Sequence, residues 1–269
     1  MTNYYIAGYR IQRTLKMNDD EWISEKKIKF SFAEEKDVKD VIQFLHENFC
    51  PDEPVLRNIK AMEGTSWLDN YLRDLIDKNL AIQPITRVEI TPACIVARST
   101  VDDSIVGCRM GEIMSRKNVK DEPFPPIMWM GNLPSFIPVP KKLIHLINLL
   151  QHFIDIRYSK SIAFEELKDT DMIYFANCVC VSSKARGLGL GTELVKRGYD
   201  IAKKAGCGYT YISASSKYSQ KIFHNLGDCN VLHEQKYEDL KYDKRGRPFL
   251  IDPREHEVIQ ILAISHLKK

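Results

Sequence analysis

No apolar run in the chain approaches the roughly 18 residues that a membrane-spanning helix requires, so no membrane association is expected. No signal-peptide pattern opens the sequence. The seven cysteines are odd in number and never fall in a C-x-x-C pair. That usage fits reduced thiols and a cytoplasmic location rather than a disulfide framework. No zinc-ligand spacing occurs either, so no metal is expected. The net charge is only +3 over 269 residues, which lacks the basic surplus of a nucleic-acid-binding surface. Internal repeats and low-complexity tracts are absent, and a monomer is expected. What remains is ordinary for a globular protein: 44% hydrophobic and 28% charged residues, with length enough for a substantial core.

The informative stretch runs from Tyr174 to Gly227. Residues 174–181, Tyr-Phe-Ala-Asn-Cys-Val-Cys-Val, read as a buried strand. Arg186, Gly187, Gly189 and Gly191 then make a tight loop. It runs straight into a helical pattern with Leu190, Leu194, Val195, Ile201, Ala202 and Ala205 on one face. Gly206 and Gly208 stop that helix, and Tyr209–Ala214 reads as a second strand. A helix N-terminus offers unpaired N–H groups and partial positive charge. Glycines let a phosphate approach that backbone closely. The loop therefore reads as a pyrophosphate cradle, against the plainer reading of a strand-to-helix turn that binds nothing.

Two common phosphate loops are excluded. No Gly-Lys-Ser/Thr closes a Walker pattern, and a dinucleotide fingerprint on Gly187 and Gly189 fails because its third position is Thr192. Arg-x-x-Gly-x-Gly does fit, as Arg186, Gly189 and Gly191. This resembles the acetyl-coenzyme-A loop of the GNAT superfamily of N-acetyltransferases, and the order strand, loop, helix, strand agrees. The resemblance implies an α/β fold of the α+β kind: a mixed, mostly antiparallel sheet flanked by helices. It also implies acetyl-coenzyme A as cosubstrate, held by the backbone of Val179, Cys180 and Val181 and by Arg186, Gly187, Leu188, Gly189, Leu190, Gly191 and Thr192.

Around this centre the chain divides into a polar extension, residues 1–27, and a domain from 28 to 269. Lys27–Phe32 reads as a first strand, and an amphipathic helix begins at Asp37. The helix breaks where Pro51 and Pro54 bracket Asp52 and Glu53. Ser66–Leu80 reads as a second helix, and Cys94–Ser99 with Ile105–Met114 as a hairpin. Residues 118–140 hold six of the twelve prolines together with Phe124, Trp129 and Phe136, and read as a pocket wall or a surface insertion. A helix at Lys141–Tyr158 follows. After the central unit come a helix at Gln220–Leu226, a strand near Val231–Tyr237, a charged turn at Asp243–Arg247 and a strand in Val258–Ile264.

The Asp52-Glu53-Pro54 stretch, led into by a helix and Phe49, resembles the Asp-Glu-Pro motif of insect-type arylalkylamine N-acetyltransferases. Ser215-Ser216-Lys217-Tyr218-Ser219 resembles the same family's Ser-Ser-x-Tyr-Ser. The resemblance implies Glu53 as catalytic base, Ser215 and Ser219 at the transfer site, and Lys217 and Tyr218 beside the cosubstrate. It implies a small amine as partner substrate, an arylalkylamine first. A polyamine or agmatine, a protein substrate, and a non-catalytic acyl-coenzyme-A-binding role are the alternatives. Each residue has a plainer role too: an acid between prolines is usually a solvated turn, and Ser219 suits a helix N-cap. A second Asp-Glu-Pro at Asp121–Pro123 weakens the tripeptide itself. Phe223 stands where many GNAT members carry a tyrosine general acid, so the leaving thiolate needs another source of stabilisation.

Overall fold

Apolar strands buried on both faces make most of the fold. Clean alternation of buried and open positions appears in the edge strand near residue 30 and in part of the strand at 172–181. The computed structural model describes residues 4–6, 9–11, 22–54, 57, 94–118, 160–239 and 254–267. In the extension, β1 (Tyr4–Ile6) and β2 (Tyr9–Ile11) pair antiparallel as a small ribbon. Trp22 meets the Phe30 ring edge-on at 5.4 Å, so the end of the extension covers core.

Among the described residues the main sheet has seven strands: β3 (Ile28–Phe32), β4 (Ile95–Ser99), β5 (Ile105–Ser115), β6 (Met172–Val181), β7 (Tyr209–Ala214), β8 (Cys229–Lys236) and β9 (Val258–Ser265). Their order is β3-β4-β5-β6-β7-β9-β8, and only β6 and β7 run parallel. This is the mixed, mostly antiparallel sheet that the sequence implies. Helices cover both faces. α1 (Val38–Asn48) buries Val41, Phe44 and Leu45 against Val96, Cys108, Met110, Cys178 and Cys180. α2 (Lys160–Glu166) buries Ala163 and Phe164 on the same face, near Phe175 and Tyr211. On the opposite face α3 (Leu190–Lys204) and α4 (Lys217–His224) bury Leu194, Val195, Ile201 and Phe223 against Tyr174, Ala176 and Ile212.

Two irregularities of β6 position the site. Met110 pairs with Cys178 but Gly111 pairs with Ala176, so Asn177 is an extra residue: a β-bulge. The bulge reverses the alternation. Tyr174 and Ala176 face α3 before it, whereas Val179 and Val181 do so after it, and Cys178 and Cys180 turn to the α1 face. Secondly, β6 and β7 pair only from Ile173↔Tyr209 to Ala176↔Ile212. Beyond that point β6 stays with β5 and β7 with β9, so the two parallel strands part and open a cleft.

Several boundaries differ from expectation. α4 begins at Lys217 rather than Gln220, because Ser216 caps it and helix follows at once. It ends at His224, two residues earlier than read. β8 starts two residues earlier than read, and α2 carries no strong apolar period and is not anticipated. The helices read at 66–80 and 141–158, the proline-rich stretch beyond residue 118 and the turn at 243–247 lie outside the described residues.

One core contact predicts a pH response. His266 Nε2 bonds Thr210 Oγ1 at 2.7 Å and the ring lies edge-on to Tyr199, leaving a buried Nδ1 without a partner among the described residues. Burial, then Lys203, lowers this imidazole from 6.5 to about 4. Because the folded value lies below the unfolded one, the neutral ring favours the fold at high pH. That contribution is lost as pH falls from 6.5 towards 4. The melting temperature should drop across that window, and His266→Gln should make the drop shallower.

Candidate active site

The glycine loop is built by backbone conformation. Ser182 caps a single 3-10 turn, Ser183–Ala185, and Arg186 is extended. Gly187 and Gly189 then take φ of 81° and 80°, a left-handed backbone that other residues reach only with strain. Gly189 is the N-cap of α3, whose first intrahelical bond joins Glu193 N to Gly189 O at 3.1 Å. The amides of Leu190, Gly191 and Thr192 precede that bond and have no acceptor among the described residues. They face the same cavity as the parted edge of β6. A Cβ on Gly191 would come to 3.2 Å from Ile222, so that glycine allows α4 to sit close.

The cavity has a volume of about 770 Å³. Thirteen of the fifteen residues singled out in the sequence line it, from Glu53 through the β6 edge and the loop to Ser215 and Ser219. Leu188 and Lys217 do not: Leu188 points to solvent, and the Lys217 ammonium lies over the Tyr218 ring instead. Leu188 sits in the exposed turn before α3, and Lys217 is the exposed first residue of α4. The Asp-Glu-Pro stretch reaches the cavity as a tight turn off α1, with Asp52 N and Glu53 N both donating to Phe49 O at 3.0 and 2.8 Å. Asp52 pairs with Arg186, tying this turn to the glycine loop.

Glu53 is half-buried and lies within electrostatic reach of Tyr237. Burial, and then Glu53, push the Tyr237 phenol well above its usual range. That phenol donates to Ser215 O at 2.7 Å, so β7, the turn after α1 and the end of β8 meet at one point. Ser219 is placed differently from its N-cap reading. The cap is Ser216, and Ser219 is the third helical residue of a capping box. Its hydroxyl donates to Ser216 O at 2.8 Å and lies 3.1 Å from Ser216 Oγ. Ser216→Ala should therefore cost about 1 kcal/mol of stability in chemical denaturation. Ser219→Ala should cost less, and its larger effect should be on turnover.

Two lining residues, His256 and Arg109, carry no local signal in the sequence. Neither does Tyr237, which packs behind the Ser215 wall and reads only as the end of a strand. His256 lies in a charged run, Arg254-Glu255-His256-Glu257, yet is buried and accepts from Lys217 N at 3.4 Å through Nδ1. Burial is the main cause that lowers its pKa below 6.5, which favours the neutral ring near pH 7. Arg109 reads as a strand residue, and only the packing of β5 under α3 brings it to the cavity. Beside them Tyr218 donates to Glu255 at 2.8 Å. Burial holds the Cys178 and Cys180 thiols above their usual value, so neither is primed as a nucleophile. No helix among the described residues is long and apolar enough to cross a membrane.

Residues 162–227, from α2 through the glycine loop to the end of α4, match the acetyltransferase (GNAT) family. No curated protein sequence matches the chain. Among solved structures, arylalkylamine N-acetyltransferase 2 from Aedes aegypti is similar with a TM-score of 0.67 and 20% identity, over 88% of this chain and 98% of that one. An agmatine N-acetyltransferase gives 0.64 and 15%, over 89% and 99%. The polyamine N-acetyltransferase of Drosophila melanogaster, described as forming N-acetylagmatine, gives 0.64 and 15%, over 88% and 99%. At these identities the likeness is one of fold, and the match to the acetyltransferase (GNAT) family lies in the segment that carries the glycine loop.

Proposed function

We propose that the protein transfers the acetyl group of acetyl-coenzyme A to the nitrogen of a small amine, an arylalkylamine by preference. The observation that carries this reading is the convergence on one cavity of the glycine loop, the parted β6 edge, and Glu53 with Ser215 and Ser219. The amides from Gly187 to Thr192 and the α3 dipole suit a pyrophosphate. The β6 edge beyond Ala176 offers main-chain groups to the pantetheine arm and an N–H to the thioester carbonyl. Holding both substrates in one cleft makes attack effectively unimolecular.

An amine arrives mostly protonated at neutral pH, so the half-buried Glu53 takes its proton, directly or through water, before or during attack. Ser215 lies beside that carboxylate through Tyr237, and Ser219 across the mouth of α4. Phe49, beside Glu53 on the cavity wall, favours a flat apolar tail on the amine. Asp52 adds a second carboxylate nearby, which would suit a second ammonium, but it is paired with Arg186.

An amine panel tests the choice. Acetyl-coenzyme-A breakdown is followed without amine, with tryptamine and dopamine, and with agmatine and spermidine. The reading expects negligible hydrolysis alone and the higher specificity constant for the aromatic amines. A clear preference for agmatine or spermidine would move the substrate class to polyamines. Tight binding with no amine-dependent turnover would leave an acyl-coenzyme-A-binding protein.

A further inference from the structure

Arg109 is 1% exposed, yet Nε and Nη2 have no hydrogen-bond partner among the described residues. No carboxylate among the described residues pairs with it. It lies 5.1 Å from the centroid of the Tyr174 ring, and a Cβ on Gly198 would come to 2.3 Å from its Nε, so the space under α3 is shaped to hold it. The titratable groups facing it are Tyr174 from β6 and Tyr199 from α3. Burial raises both phenols, so neither supplies a negative charge near neutral pH. A buried cation without a counter-charge costs several kcal/mol in typical proteins. Such a group persists where an anion forms beside it.

Arg109 shares the buried end of the cavity with Ala176, Ile212 and Phe223, at the point where β6 and β7 part. Phe223 has no proton to give. We propose that Arg109 stabilises the departing coenzyme A sulfur as a thiolate, in place of a protein general acid. This rests on the acetyl-transfer reading above. The amine lone pair attacks the thioester carbonyl carbon and the N–C bond forms. The C–S bond then breaks with its electron pair going to sulfur. The proton that nitrogen sheds on becoming an amide goes to Glu53, which has already passed the ammonium proton to solvent. Coenzyme A thus departs as an anion opposite a fixed cation, and is protonated after release.

The test is the pKa of the thiol of coenzyme A bound to the full chain, titrated by ultraviolet thiolate absorbance against bound desulfo-coenzyme A. An opposite charge within a few ångströms lowers a pKa by about one to three pH units, so the bound thiol should titrate that far below free coenzyme A. Arg109→Met, which keeps much of the stem, should reverse the sign, because burial alone disfavours the thiolate. It should also lower kcat by about 10²–10³ while leaving coenzyme A bound near neutral pH. Arg109→Lys should retain part of the effect. If Arg109→Met does not fold, the wild-type titration still decides. A bound wild-type thiol that titrates at or above the free value overturns this assignment alone. Failure of coenzyme A to bind at all overturns the acetyl-transfer reading and this one with it.

Discussion

Glu53→Gln should lower turnover by about 10²–10⁴ and abolish the acidic limb of the pH–rate profile, with acetyl-coenzyme-A affinity nearly unchanged. Glutamine keeps the shape of the side chain and cannot accept a proton. The turn that presents it is held by backbone bonds from Asp52 and Glu53 to Phe49 O, which the substitution does not touch. The Asp52–Arg186 pair beside the loop is likewise left intact. Loss of the limb therefore reports on the base and not on the fold. Glu122→Gln, in the second Asp-Glu-Pro, should do little. If that variant removes the limb and Glu53→Gln keeps it, the base has been assigned to the wrong tripeptide.

Gly189→Val should abolish the rise in melting temperature that acetyl-coenzyme A gives to the wild type by mass action. At φ 80° a β-branched residue is strained, so relief of that strain re-aims the amides of Leu190, Gly191 and Thr192. Those amides start α3 and have no other acceptor among the described residues. No atom lies within 4 Å of a Cβ placed there, so the effect comes from backbone conformation and not from a clash. The variant's own unfolding should stay cooperative. An undiminished ligand-induced shift in a folded Gly189→Val protein would show that the loop does not hold the phosphates.

The parts of this site that were legible in the sequence are those with local punctuation. Arg186, Gly187, Gly189 and Gly191 between a strand and an amphipathic helix announce the loop, because left-handed turns and helix starts leave short-range signatures. The prolines around Asp52 and Glu53 announce the break after α1. The serine stretch was legible as a motif, but its helix start was not. Ser216 and Ser219 are both good capping residues, and only the two-way bonding between them shows which is the cap.

What sequence could not supply is pairing. The bulge falls on Asn177, the one polar residue of an otherwise apolar run. A lone asparagine does not announce a bulge, yet this one decides which of Ala176, Cys178 and Val179 face α3. The parting of β6 from β7 depends on β9 lying between β7 and β8, a partner some forty residues further on. His256 and Arg109 come from different strands or strand ends, and only the finished sheet brings them to one cavity, with Tyr237 bonded to Ser215 O behind it. Leu188 and Lys217 were drawn in by their neighbours in the motifs, although their side chains point away from it.

The most direct test of acetyl transfer is to incubate the purified chain with acetyl-coenzyme A and tryptamine, and to quantify N-acetyltryptamine by mass spectrometry beside the thiol released. The account predicts one acetylated amine for each thiol, both dependent on the protein and both lost in Glu53→Gln. Thiol released without acetylated amine, or no product from any amine of the panel while the ester is bound, would contradict it.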